Sequence, residues 1–359
     1  MTKSSQFANK ATQNLSPYSS ARNEGALSTN TIGLDANEAS SQWLTLPEEV
    51  FDVEYNRYPT TGVEEISKKL CEAPQAQGFK PENIYLGIGS SGIIEKLIVA
   101  FVNDDETVLI KDPTFPMYEV FANQYGKKLK KFSYKPDFSI DVGAFIHEAS
   151  QAKLVFICSP NNPSGSILPK DQIEHIVRRC PDTLFAIDEA YIELQGYDQS
   201  NIDLLNELDN LIILRTFSKA WGLASVRLGY AIGPEGVIKD LKKVTPPYHI
   251  PTVCENIILF ALDRQYELGI AIEETIIERD LLEDFFTAKN IKFIKSYTNF
   301  VTVKFDGSKN AEDVYNHLKE NGILVRNVSK ATLLADHLRI TIGSQEENQK
   351  LMKLLDSYL

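Results

Sequence analysis

The chain has 359 residues, 43% of them hydrophobic, and a formal net charge of −12. That length and apolar content support a substantial core in one large and one smaller unit, while the acidic balance excludes an extended basic surface for nucleic acid and leaves any phosphate to local arginines. No apolar run approaches 18 residues, the four cysteines (Cys71, Cys158, Cys180, Cys254) lack CxxC spacing, and the five histidines form no HxH or HExxH pair, so the expectation is no membrane span, no metal site, and free thiols in a reducing, cytoplasmic compartment.

In chain order, the first 30 residues are polar, rich in Ser, Asn and Thr, and lack the apolar stretch of a signal peptide; they read either as a disordered segment or as an N-terminal arm packed on a neighbouring subunit. A helix is expected around 66–71, a strand at 83–86, a helix at 93–101, a strand at 107–110 and a helix at 118–125. Strands follow at 127–132, 154–157, 183–187, 211–214 and 228–232. This alternation argues an α/β unit with a mainly parallel sheet between helices. Thr245-Pro246-Pro247 breaks the pattern and reads as a hinge. Beyond it, 252–289 is expected to be helical, interrupted at most by Gly269. A half-buried strand at 300–305, a helix at 310–320, strands at 323–326 and 337–342, and a helix at 345–357 then make an α+β unit.

Three segments carry chemistry. After the apolar run 211–214 comes Thr216-Phe217-Ser218-Lys219-Ala220-Trp221-Gly222, with Arg227 eight positions beyond the lysine. A lysine off the end of a strand can form an imine with an aldehyde, and the Ser218 hydroxyl and Arg227 guanidinium suit a phosphate. An aldehyde and a phosphate on one small molecule describe pyridoxal phosphate. Cys158-Ser159-Pro160-Asn161-Asn162-Pro163-Ser164-Gly165 and Ala186-Ile187-Asp188-Glu189-Ala190-Tyr191 also follow strands, at the sheet end where open α/β folds bind ligands. Asp188 can hold the proton of a pyridine nitrogen, and Asn162 and Tyr191 can donate to a phenolate oxygen. A competing motif, Gly87-Ile88-Gly89-Ser90-Ser91-Gly92 with Asp112 twenty residues on, has the form of a dinucleotide fingerprint. It leaves an NAD-dependent oxidoreductase as the alternative from a different class. The same loop can instead present backbone amides at a helix N-terminus to a coenzyme phosphate.

Taken together, these segments resemble the fold-type I pyridoxal phosphate aminotransferases, and within them the histidinol-phosphate group. The likeness runs over nearly the whole chain: Asn14-Leu15-Ser16-Pro17-Tyr18, Leu34-Asp35-Ala36-Asn37-Glu38, Asn56-Arg57-Tyr58-Pro59, Gly322-Ile323-Leu324-Val325-Arg326 and Leu338-Arg339-Ile340-Thr341-Ile342-Gly343 are similar to that group's segments. The resemblance implies a large domain with a seven-stranded, mainly parallel sheet (46–246), a small α+β C-terminal domain (247–359), and an arm and joining segment (1–45). It implies pyridoxal 5'-phosphate on Lys219, with Asp188 at the ring nitrogen, Asn162 and Tyr191 at the phenolate oxygen and Phe115 stacked on the ring. Ser90, Ser91, Ser218, Arg227 and Tyr58 of the partner subunit would hold the phosphate in a homodimer with shared sites. Asn37, Tyr58, Asn162, Arg326 and Arg339 would meet the substrate.

The implied reaction exchanges the amino group of histidinol phosphate with 2-oxoglutarate, giving glutamate. An aromatic amino acid aminotransferase, then a phosphothreonine decarboxylase, are the other implied activities. Two departures from the family pattern stand out: Gly89-Ser90-Ser91 in place of a Gly-Ala-Asp type of turn, and Ala39-Ser40-Ser41-Gln42-Trp43 after Asn37-Glu38, which moves the substrate-facing aromatic to Trp43 or removes it.

Overall fold

The computed structural model describes residues 7–13, 15, 31–40, 42–60 and 62–359. Most of the expected arm, including Asn14 and Ser16-Pro17-Tyr18, lies outside the described residues.

Seven strands form the first sheet: β2 (Ile84–Ile88), β3 (Thr107–Asp112), β4 (Lys128–Ser133), β5 (Leu154–Cys158), β6 (Leu184–Asp188), β7 (Leu211–Thr216) and β8 (Leu228–Ile232). Their order is β2-β8-β7-β6-β5-β3-β4. All neighbouring pairs are parallel except those of β8, which runs antiparallel to both β2 and β7. β5, β7 and β8 are buried along their whole length, because helices cover both faces; strands so enclosed read as continuous apolar runs. Alternation then divides one strand between two cores: Val155 and Ile157 face one cluster, Leu154 and Phe156 the other. Helices at Val142–Ala149, Lys170–Arg179 and Glu235–Lys243, beyond those expected, complete the alternation. Lys170–Arg179 buries only Ile173, Ile176 and Val177, an i, i+3, i+4 stripe.

A second sheet is built of β1 (Ile32–Leu34), β9 (Phe293–Ile294), β10 (Phe300–Lys304), β11 (Ile323–Asn327) and β12 (His337–Thr341). Its order is β1-β11-β12-β10-β9. β1 pairs parallel with β11, Leu34 opposite Val325, so the segment ahead of Asn37 is part of this C-terminal sheet.

The expected helix over 252–289 is corrected in two ways. The break falls at Asp263-Arg264, giving Thr252–Leu262 and Gln265–Ala288, and Gly269 lies unbroken inside the second. Ile257, Ile258, Ala261 and Leu262 join the core of the first sheet, and the second helix runs from that core, at Leu268, to that of the second sheet, at Leu282 and Phe286. The chain beyond Thr245-Pro246-Pro247 therefore stays on the first sheet. Thr252–Leu262 packs so tightly on helix Gly62–Glu72 that a Cβ at Gly62 would lie 2.3 Å from Glu255. Among the described residues, no helix is long and apolar enough to cross a membrane.

Candidate active site

The three chemistry-bearing segments leave the C-terminal ends of adjacent parallel strands. Cys158 of β5 is in register with Asp188 of β6, and Asp188 with Leu214 of β7, so Asn162, Asp188 and Lys219 emerge side by side at one end of the sheet. Asp188 is 2% exposed. Its Oδ2 accepts from the Tyr118 hydroxyl at 2.7 Å and its Oδ1 from the Ala190 N–H at 3.1 Å. Burial pushes its carboxyl up to about 6, against the pull of those donors.

Lys219 Nζ donates to the carbonyls of Asn37 (3.1 Å) and Ala36 (3.4 Å) and lies 5.9 Å from the centre of the Tyr191 ring. Burial, followed by the nearby guanidinium of Arg339, brings this amine down to about 8; Arg227 adds to the effect while Glu38 and Asp188 oppose it. The buried Tyr191 hydroxyl accepts from Asn37 Nδ2 at 2.9 Å, and burial raises its phenol. Asn37 itself is held at φ 54 by Thr341 Oγ1, which accepts its N–H at 3.0 Å.

A phosphate-sized cradle lies where β2 enters helix Gly89–Phe101. Gly89 has φ +66, and a Cβ there would stand 2.8 Å from Arg227 Nη2. Gly229, on the adjacent β8, leaves room for the Ser90 amide, which a Cβ would meet at 2.5 Å. Arg227 Nη1 donates to the Ala224 carbonyl at 2.9 Å and to Ser218 Oγ at 3.4 Å. Ser90 and Ser91 occupy the first turn of that helix, whose amides lack intrahelical partners. Phe115 sits edge-on to Tyr118, ring centres 5.7 Å apart, and Tyr118 in turn reaches Asp188.

Opposite this wall stands the second sheet. Arg326 and Arg339 are directly paired across β11 and β12, so their side chains share a face. Arg339 Nη1 donates to Asn162 Oδ1 at 2.8 Å and Nη2 to the Asp35 carbonyl at 2.6 Å. Ala39, Trp43, Lys219, Asn299 and Ile342 line one small cavity, where the Trp43 indole N–H donates to the Trp221 carbonyl at 2.8 Å. Trp43 thus stands at the site, its indole N–H already engaged. Tyr58 is not gathered into this cluster: it is 75% exposed and stacks on Tyr248 at 4.6 Å.

The glycine motif fails as a dinucleotide site for a topological reason. That fingerprint needs its two strands adjacent and parallel, so that the acidic residue reaches the ribose. Here β2 and β3 are separated by β8, β7, β6 and β5, and Asp112 accepts from Thr332. Gly89 instead admits Arg227.

Residues 27–355 match the family described as aminotransferase class I and II. The chain is 37% identical over 340 residues to the histidinol-phosphate aminotransferase of Clostridium kluyveri, covering 91% of this chain and 93% of that one. It belongs to the class I and II aminotransferases. The histidinol-phosphate aminotransferase of Thermoanaerobacter pseudethanolicus is likewise 37% identical, over 91% of this chain and 92% of its own. In fold, the chain is similar to the crystal structure of the histidinol-phosphate aminotransferase from Sinorhizobium meliloti in complex with pyridoxal-5'-phosphate, with a TM-score of 0.86, 22% identity and 99% of each chain covered.

For an aminotransferase, two further groups stand at the site that sequence reasoning missed. Tyr118 contacts Asp188 directly, and Asn299 Nδ2 donates to the Asn37 and Glu38 carbonyls at 3.1 and 3.2 Å, bracing the segment on which Lys219 rests. Tyr118 closes the run Pro113-Thr114-Phe115-Pro116-Met117-Tyr118, where a second aromatic three residues after Phe115 was the available signal.

Proposed function

We propose that this aminotransferase exchanges the amino group of histidinol phosphate with 2-oxoglutarate, as a cytoplasmic homodimer using pyridoxal 5'-phosphate, with Tyr58 serving the neighbouring subunit's site. The coenzyme fits the residues present. Gly89 lacks the Cβ that would fill the cradle beside Arg227, Ser218 and the helix amides supply donors for a phosphate, and Asp188 and Lys219 offer an acceptor and an amine at the far end. The same reading divides the chain into a coenzyme-binding unit around the first sheet and a smaller unit around the second, joined through helix Gln265–Ala288.

When bound, the coenzyme supplies an aldehyde for the amino group and a protonated ring that delocalises negative charge. The chain supplies the rest. Lys219 Nζ would hold the coenzyme's aldehyde and, once free, would move the proton at the substrate Cα; an amine lowered to about 8 can reach the neutral form this needs. Asp188, anionic above about 6, would face the ring nitrogen. Tyr191 and Asn162 would donate at the phenolate oxygen, with Asn37 fixing the Tyr191 hydroxyl. Ser90, Ser91, Ser218 and Arg227 would anchor the phosphate, and Phe115 would cover the ring.

The observation that carries the substrate assignment is the cross-strand pair Arg326–Arg339. Two guanidiniums on one face offer forked donors to a dianionic phosphate. Arg339, tied to Asn162, also takes the carboxylate of glutamate. The expected outcome of Arg326→Ala is a KM for histidinol phosphate raised on the order of 100-fold, the loss of a charge-assisted pair, with the KM for glutamate changed far less. Equal effects on both substrates would instead favour an aromatic amino acid as the donor.

A further inference from the structure

Tyr118 belongs to none of the motifs that mark the site, yet it is fully buried. Its ring stacks on Phe156 (4.7 Å, 7°) and meets Phe115 edge-on. Its hydroxyl donates to Asp188 Oδ2 at 2.7 Å, while Asp188 Oδ1 takes the Ala190 N–H. Each carboxylate oxygen has two lone pairs, so one per oxygen stays open for a further donor. The nearby Lys111 directs its ammonium to the Cys158 carbonyl at 3.5 Å, and Cys158 Sγ donates to the Pro160 carbonyl. The side-chain hydrogen bond that steers Asp188 therefore comes from a neutral phenol.

We propose that Tyr118 is a positioning residue: its hydroxyl fixes the rotation of the Asp188 carboxylate and keeps the proton between Asp188 and the coenzyme ring on the ring nitrogen. Burial alone favours a neutral carboxyl, which would draw that proton to Asp188 and leave the ring a weaker electron sink. A donor on the far oxygen stabilises the charged form and reverses the preference. The proposal rests on the assignment of Asp188 to the ring nitrogen.

The test titrates wild-type and Tyr118→Phe apoprotein with pyridoxal 5'-phosphate and with its deaza analogue, in which C–H replaces the ring nitrogen. The expected result is a loss of affinity of roughly ten-fold for the coenzyme and no more than about two-fold for the analogue, the signature of a hydrogen bond felt through the ring nitrogen. The 15N resonance of labelled coenzyme in the variant should move toward neutral pyridine. Equal weakening for both ligands, with an unmoved resonance, would mean a packing role only and overturn the proposal while leaving Asp188 in place. A wild-type protein indifferent to the nitrogen would instead overturn the assignment of Asp188, and the proposal with it. If Tyr118→Phe does not fold, 3-fluorotyrosine at 118 keeps the ring and strengthens the donor; the 15N resonance should then move toward pyridinium, and an unchanged resonance overturns the proposal.

Discussion

Lys219 and Asp188 carry opposite shifts with the same leading cause. Burial disfavours the charge on each, lowering the amine to about 8 and raising the carboxyl to about 6. Between those two values both groups are still ionised, so the amine, not the acid, limits how readily the apoprotein captures an aldehyde. The neutral amine is the attacking form, and its fraction grows as pH rises through the folded pKa. The rate of pyridoxal 5'-phosphate capture, followed by the visible band, should therefore climb with pH and level off above about 8, and Lys219→Ala should show no band at any pH. A rise that continues toward the ordinary lysine range near 10.5 would contradict the environment described for Lys219. At this scale the sequence was legible wherever motif and strand end coincided, as at Asn162, Asp188 and Lys219. For Tyr118 it offered only an aromatic three residues after Phe115; the contact that gives it a role is with Asp188, 70 residues away in the chain.

The junction of β2 with helix Gly89–Phe101 shows how an element sets the chemistry. Strand and helix meet at one residue with φ +66, close enough to Arg227 that a methyl group would push the guanidinium aside. Gly89→Ala should weaken coenzyme binding by roughly ten- to a hundred-fold, through left-handed strain and the displaced arginine together; fluorescence titration of the apoprotein measures it, and an affinity unchanged from wild type would show that the cradle lies elsewhere. The buried strands of the first sheet were legible as apolar runs, but a run carries no direction, so the reversal of β8 was not. Helix Lys170–Arg179 escaped because three buried side chains among charged ones give a thin stripe. The break falls at Asp263-Arg264, not at Gly269, which propensity alone marks and the helix accommodates. β1 is three residues long and owes its existence to β11, nearly 300 residues later.

For the whole molecule, the proposed dimer follows from the position of Tyr58 and its surroundings. Tyr58 and its stacking partner Tyr248 are exposed, and Tyr248 with Pro59, Val63 and Pro247 lines a groove on the first sheet's side. If Tyr58 serves a neighbour's site, Lys219→Ala and Tyr58→Ala proteins, each nearly inactive, should recover about a quarter of wild-type activity when unfolded and refolded together, because half the dimers are mixed and each restores one site of two. No recovery would place Tyr58 in its own chain's site or outside any site. Fold class, sheet content and the end of the sheet where Asn162, Asp188 and Lys219 gather were readable from composition, periodicity and motifs. The path of the chain between the two sheets was not, since it depends on which core each helix faces. The central claim is the amine that the site accepts. It is tested most directly by mixing the coenzyme-loaded enzyme with one amine at a time, without 2-oxoglutarate, and following loss of the visible band in a single turnover. Histidinol phosphate should discharge the band at least about a hundred times more efficiently than phenylalanine or phosphothreonine, the discrimination expected when two half-buried arginines meet a phosphate in the right place. Faster discharge by phenylalanine, or carbon dioxide release with phosphothreonine, would contradict the account.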